Sequence, residues 1–351
     1  MFGKPKSLPF SYWPIQDQHL LMSAISSGGF MEKRGKAAHW ADETKNQARK
    51  SYAKWLRFLK ERGELGDVMN PASRITEARL RAYVSWMEAD DLGSVTIAAR
   101  VRDLVEVLRV MEPQANLKLV VTLAHSLKQR ATPRRQKHQR IVNSGEALKK
   151  ILERIRNIDR YQYQSPLVRA GAYRDLVVFA FLAARPIRRK NLASLQLGRH
   201  VMRQENGIYV CRLSAAETKE RLPFEFTLPV EISQCLDLYI ASERGVLLRG
   251  GKSDALWISN RGTPMRSFTI YYNVKKLGRE VLDVDITPHL LRDSLATSFA
   301  IEDPEHMLAA SRVLGHSGLE TTIRHYNQAN MLGASRILEE AIAEAKAMEP
   351  P

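Results

Sequence analysis

Cysteine is nearly missing from this 351-residue chain: Cys211 and Cys235 are the whole supply, with no CxxC pair and no Cys/His cluster at zinc-ligand spacing. That scarcity excludes a disulfide framework and a structural zinc site, and it fits a reducing compartment. Long apolar runs are lacking too. The longest, "LVVFAFLAA" at 176–184, falls well short of the roughly 20 residues that cross a bilayer. The opening stretch, "MFGKPKSLPFSYWPIQDQ", holds no apolar core of signal-peptide type. The expected location is therefore the cytoplasm, with no membrane association. Neither an internal repeat nor a convincing cluster of Asp and Glu is found. The last omission tells against chemistry on paired, carboxylate-held cations, and no cofactor is expected.

Acid is also scarce relative to base. Lys and Arg number 54 against 38 Asp and Glu, a formal net charge of +16, and an excess of that size points to a polyanionic partner, nucleic acid above all. A basic face that is merely solvated is the plainer reading.

Periodicity divides the chain. Residues 1–36 are a mixed N-terminal extension with one helical stretch near "IQDQHLLMSAIS". From 37 to 129 the pattern is helical. "ADETKNQARKSYAKWLRFLKERG" places Ala48, Tyr52, Trp55, Leu56 and Leu59 on one face, and three further amphipathic segments follow, one with Ser94 as its expected N-cap. Four helices with short connections predict a small bundle. A basic linker, 130–142, begins "RATPRRQKHQR", with five Arg or Lys and no acid. Its Arg134, Arg135, Lys137 and Arg140 suit a strap along a DNA backbone, or else a solvated tether. Beyond 143, helical patterns bracket "HVMRQENGIYVCRLSAAETKERLPFEFTLP", which alternates like three antiparallel strands with turns at "ENG" and "AETKER". The expected fold is thus mainly α: an N-terminal four-helix bundle, then a mostly helical domain over 143–330 with a small three-stranded antiparallel sheet. A last helix, within 331–351, carries Ile337, Leu338, Ile342 and Ala345 as a narrow apolar stripe.

Several positions stand out for chemistry. "ITPHLLRDSLATSFA" reads as a helix with Thr287 at the N-cap and Pro288 at its first position. His289 and Arg292 are three apart on it and share a face. The same HxxR spacing at His200 and Arg203 falls in a predicted strand, where residues three apart diverge. In "ARPIRRKNLASLQL" a helix stops at Pro186 and another starts on two arginines. Arginines at a helix start oppose the macrodipole and call for an anion. Lys219 lies near a hairpin tip. In "LGHSGLETTIRHY", Ser317 and Glu320 form a capping box for a short helix that runs from the Gly315–His316 corner to Tyr326.

In that order, Arg188, Lys219, His289, Arg292, His316 and Tyr326 resemble the tyrosine recombinase family, also called the phage integrase family. The matching stretches are "RRKNLASL", "ETKERLPF", "TPHLLRDSLAT" and "LGHSGLETTIRHY". Where relatives carry Gly-Leu before the first arginine, this chain has Pro186-Ile187, so Arg189 is the alternative to Arg188; spacing to Leu192 and Leu195 favours Arg188. The resemblance implies a site-specific recombinase or integrase that cleaves and rejoins DNA through a 3′-phosphotyrosine, with Tyr326 as nucleophile. A role in a mobile element is the expectation. Double-stranded DNA would be the partner, and the protein would assemble as a tetramer on it. The bundle over 37–129 would be the core-binding domain and 143–330 the catalytic domain. The final helix would dock on a neighbouring protomer, or else pack on its own domain. Two other readings stay open: DNA relaxation of the type IB topoisomerase kind, and a non-catalytic DNA-binding accessory protein.

Overall fold

The computed structural model describes residues 7–30, 33–66, 70–134 and 140–302, the last three by backbone alone. The chain divides into two compact units, Met1–Gln136 and Lys137–Pro351. Both are mainly helical, and the second holds a small antiparallel sheet.

In the first unit α1 (Ile15–Ile25) precedes α2 (Asp42–Glu61), α3 (Glu77–Ala89), α4 (Ser94–Met111) and α5 (Lys118–Arg130). Asp42 and Glu43 occupy the first turn of α2 and Lys60 its last, so the charges complement the helix dipole at both ends. Its apolar face buries Ala48, Tyr52, Trp55, Leu56 and Leu59, as their spacing predicts. Trp55 meets Tyr83 of α3 edge-on, with ring centroids 5.0 Å apart, and Phe58 stacks on Trp55 at 5.4 Å. Leu8, Trp13 and Leu21 complete this core from the N-terminal side.

One polar knot lies inside that core. Asp17 Oδ2 accepts from Tyr52 Oη at 2.7 Å and from Arg74 Nη1 at 2.6 Å, and Arg74 also donates to the Gly66 carbonyl. Burial, reinforced by the Asp17 charge, pushes the Tyr52 hydroxyl well above its ordinary pKa. Ser94 departs from the expected cap. Gly93 takes that position, and the Ser94 hydroxyl instead exchanges two hydrogen bonds with the backbone of Thr132, at 2.9 and 3.0 Å.

The second unit is built around α7 (Pro166–Ala184), whose residues from Leu176 to Ala184 are all buried. A helix apolar on every side belongs at a centre. Around it pack α6 (Ser144–Arg156), α9 (Val230–Leu238), α10 (Arg244–Leu248), α11 (Ser267–Leu282) and α12 (Pro288–Glu302). The sheet is a meander, β1 (Val201–Arg203), β2 (Tyr209–Leu213) and β3 (Phe224–Thr227), with Val201 opposite Cys211 and Leu213 opposite Phe224. Burial pushes the Cys211 thiol up to about 12, which keeps it an inert core group. A single helix is predicted from 231 to 242. The structure inserts a π-helical turn at Tyr239–Glu243, where the buried Tyr239 hydroxyl accepts the Ile258 N–H at 3.2 Å, and the helix continues to Leu248.

Two features fix α12. Gly278 in α11 lies so close to the incoming chain that a Cβ there would sit 2.3 Å from Ile286 Cγ2. Ser294 and Ser298 accept the N–H groups of Val142 and Ser144 at 3.2 and 3.1 Å, which ties α12 to the start of α6. No helix among the described residues is long and apolar enough to cross a membrane. The short helix expected from the Gly315–His316 corner to Tyr326 and the last helix expected within 331–351 lie outside the described residues.

Candidate active site

The loop from α7 to the short helix α8 (Arg189–Ala193) sets the first arginine. α7 ends at Ala184, Arg185 caps it, and Pro186 blocks continuation. Arg188 is then the N-cap of α8, in extended conformation. Leu192 and Leu195 are fully buried and anchor the helix that carries it, while Leu197 is half-buried. Arg189, one residue on, is exposed and lies over the Tyr271 ring, 5.5 Å from its centroid. The two arginines therefore leave the helix start in different company.

Arg292 comes from α12. Thr287 caps that helix by accepting the Leu290 N–H at 3.2 Å, as the sequence leads one to expect. The Arg292 side chain is buried, and its Nη1 donates to the Pro186 carbonyl at 2.8 Å. The guanidinium is thus docked on the backbone that presents Arg188. Burial, and next the positive charge of Arg188, bring its pKa down to about 10, with Glu220 acting in the opposite sense. It stays charged at neutral pH, in a place short of negative charge.

Glu220 supplies an anion to Arg188. Arg188 Nη2 donates to its Oε1 at 2.5 Å, and Nη1 lies 2.5 Å from Oε2. That second approach lacks hydrogen-bond alignment, and Oε2 is buried with no hydrogen-bond partner among the described residues. Glu220 sits in the β2–β3 turn next to Lys219, so the pair also brings that turn to Arg188. Lys219 itself is exposed and carries no hydrogen bond or ion pair among the described residues. His289, one helical turn before Arg292 on α12, is exposed.

The root of the turn is held separately. Glu217 closes a capping box with Ser214 and accepts from Arg199 at 2.6 Å, and its Oε1 meets His200 Nε2 at 2.9 Å. His200 Nδ1 accepts the Gln196 N–H, which assigns the proton to Nε2. The Ser214 hydroxyl and N–H, with His200, draw the Glu217 carboxyl down to about 2. Arg203, the other half of the HxxR decoy, turns away to Asp237 at 2.9 Å. Sequence reasoning names neither Glu217 nor Glu220. Their signal, an acid on each side of Lys219 in "ETKER", looks like ordinary solvated charge until the chain is folded.

Four predicted site residues are thus described. Arg188 and Arg292 converge, the Lys219 turn is drawn to them, and His289 stands on the same helix as Arg292. His316 and Tyr326 lie outside the described residues. Of the linker residues, Arg134 pairs with Asp91 at 2.9 Å on an exposed surface. Arg140 donates to the Asp285 carbonyl at 3.3 Å. Arg135 and Lys137 lie outside the described residues.

Comparison with known proteins follows the same pattern. A family model described as the phage integrase family matches residues 146–332. The chain is 32% identical over 161 residues to tyrosine recombinase XerD of Pseudomonas putida, covering 45% of this chain and 51% of that protein. The XerD protein of Pseudomonas aeruginosa is 31% identical over 150 residues, or 42% and 48% of the two chains. The chain spans about half the length of these curated relatives. Among solved structures, XerH site-specific recombinase bound to difH substrate, a pre-cleavage complex, gives a TM-score of 0.59 at 16% identity over 95% of this chain and 97% of that one. The Tn1549 transposon integrase in complex with transposon right end DNA gives 0.56 at 14% identity, over 92% and 99%. At such identities the likeness is one of fold.

Proposed function

This chain belongs to the phage integrase family, and from that premise we propose that it is a site-specific DNA recombinase acting through a 3′-phosphotyrosine intermediate. The observation that carries the reading is the docking of Arg292 on the Pro186 carbonyl of the loop that presents Arg188, with the Lys219 turn tied to Arg188 through Glu220. Two guanidiniums with paired, permanently charged donors match the non-bridging oxygens of a phosphodiester.

In this proposal the Tyr326 hydroxyl attacks phosphorus. A Tyr–O–P bond forms, the P–O5′ bond breaks, and the strand end leaves as a 5′-hydroxyl. A phenol with a pKa near ~10 needs help to lose its proton, and His289 takes it. Arg188 and Arg292 hold the charge that gathers on the pentacoordinate phosphate. His316 adds a hydrogen bond there, and Lys219 gives the leaving oxygen its proton. The covalent link conserves the phosphodiester, so the 5′-hydroxyl of a partner strand reverses the step without a nucleotide. Residues 37–129 serve as the core-binding domain, the 130–142 linker follows the DNA backbone, and 143–330 hold the catalysis. The assembly is a tetramer on duplex DNA of a mobile element, with residues 331–351 contacting a neighbouring protomer.

A nicked suicide duplex tests this. A covalent adduct that is lost in Tyr326→Phe supports the reading; no adduct on any duplex points to an accessory DNA-binding role. Relaxation of supercoils without a defined site would favour a topoisomerase. Sequencing the trapped DNA identifies the element served. Gel filtration with DNA of a chain cut after Gly333 tests the protomer contact, and unchanged assembly sinks it.

A further inference from the structure

The Glu220 carboxylate is bound to Arg188, one of the two arginines that the proposed function reserves for a phosphate. It faces the Arg188 guanidinium at 2.5 Å through each oxygen, yet only one of the two approaches is a hydrogen bond. Its Oε2 is buried beside Arg188 with no hydrogen-bond partner among the described residues, and this is an unusual place to leave an acceptor. The anion is bound, but incompletely.

The turn that carries it is built to move as a piece. Thr218 Oγ1 donates to the Leu222 carbonyl at 2.6 Å and accepts the Leu222 N–H at 3.1 Å, closing the loop on itself. Arg221 takes a positive φ of 54° at its apex. Behind it, Glu217 clamps the root to Arg199, His200 and Ser214. The tip is latched to Arg188 by Glu220, and Lys219 lies between the clamp and the latch.

Resting on the recombinase reading of this site, we propose that Glu220 is a resident anion. It screens the two arginines while DNA is absent, and the scissile phosphate displaces it, which releases the turn that carries Lys219. The exchange is balanced in charge. A phosphodiester brings one negative charge and the carboxylate removes one, so the arginines are never left facing each other unscreened. The cost of displacement is the partly buried pair itself, which is weaker than a fully buried one because water or the incoming anion takes over its charges. Glu220 is therefore a positioning residue for Lys219 and a competitor for the anion site.

Binding of inorganic sulfate to the full-length chain, followed by calorimetry, tests the competition. Glu220→Gln is expected to bind sulfate about three- to tenfold more tightly than the parent, because a self-occupied site lowers apparent affinity by the fraction that is vacant. Glu220→Asp, which keeps the charge, should stay within about twofold of the parent. Equal or weaker binding in a folded Glu220→Gln chain overturns the proposal. A second readout needs only the unaltered protein: tryptic cleavage within the 218–222 turn, quantified by mass spectrometry, should speed up when sulfate is added. Unchanged cleavage overturns the proposed release of the turn. Neither readout requires strand cleavage. A chain that passes both yet never traps DNA keeps Glu220 as resident anion and fails the recombinase reading.

Discussion

Each unit of the chain contains an arginine facing a carboxylate, and the two pairs differ in what surrounds them. Arg74 and Asp17 are both 0% exposed, closed in by the bundle core and shared with Tyr52. Arg188 and Glu220 are 33% and 17% exposed, at the edge of a loop and a turn. The same chemistry is structural in the first case and exchangeable in the second. Burial decides it, because removing one partner in a dry core strands the other charge, whereas water or an incoming anion rescues it at a surface.

The comparison fails first if the buried pair proves dispensable. Asp17→Ala should lower the stability of the first unit by about 3–5 kcal/mol in denaturant titration, since the buried Arg74 loses the carboxylate it faces; a loss under about 1 kcal/mol would put the knot on the same footing as the surface pair. Next in size, Arg292→Ala should cut the rate of covalent adduct formation by about 10²–10³-fold, the usual consequence of deleting a donor to developing charge. Gly278→Ala should destabilise the second unit by about 1–3 kcal/mol. Helix propensity alone argues for a gain there, so the sign of the measured change reports whether α11 really needs that close approach to Ile286. Glu220→Gln should shift thermal stability by less than about 1 kcal/mol, in contrast with Asp17→Ala.

The smallest effect depends on pH. Glu217 has its carboxyl drawn from 4.5 to about 2 by Ser214 and His200, so its contribution is complete above the unfolded value and is lost as pH falls through the folded one. The parent should exceed Glu217→Gln in stability at neutral pH, and the gap should close between about 4.5 and 2. A constant gap across that range would remove Glu217 as the clamp.

Much of this architecture is legible in the sequence because it rests on local rules. The 3.6-residue stripe of α2, the Thr287 cap and the alternation from His200 to Pro229 each follow from neighbours along the chain. So does the divergence of His200 and Arg203. The site is less legible. That Arg188 rather than Arg189 meets Arg292 depends on the Pro186 carbonyl lying under α12, a contact between residues 106 apart. Glu217 and Glu220 escape notice for the same reason, since their partners come from elsewhere in the fold. Ser94 shows the limit of capping rules, because a tertiary partner, Thr132, takes its hydroxyl. The π turn at Tyr239 likewise answers to a buried ring and not to local propensity.

The most direct measurement is a structure of the Tyr326→Phe chain bound to a duplex recovered by trapping with the parent. One phosphate should lie within about 3 Å of both the Arg188 and Arg292 guanidiniums, with Glu220 drawn away and residue 326 facing the phosphorus. A duplex held with both arginines remote from every phosphate, and Glu220 still on Arg188, would contradict the account.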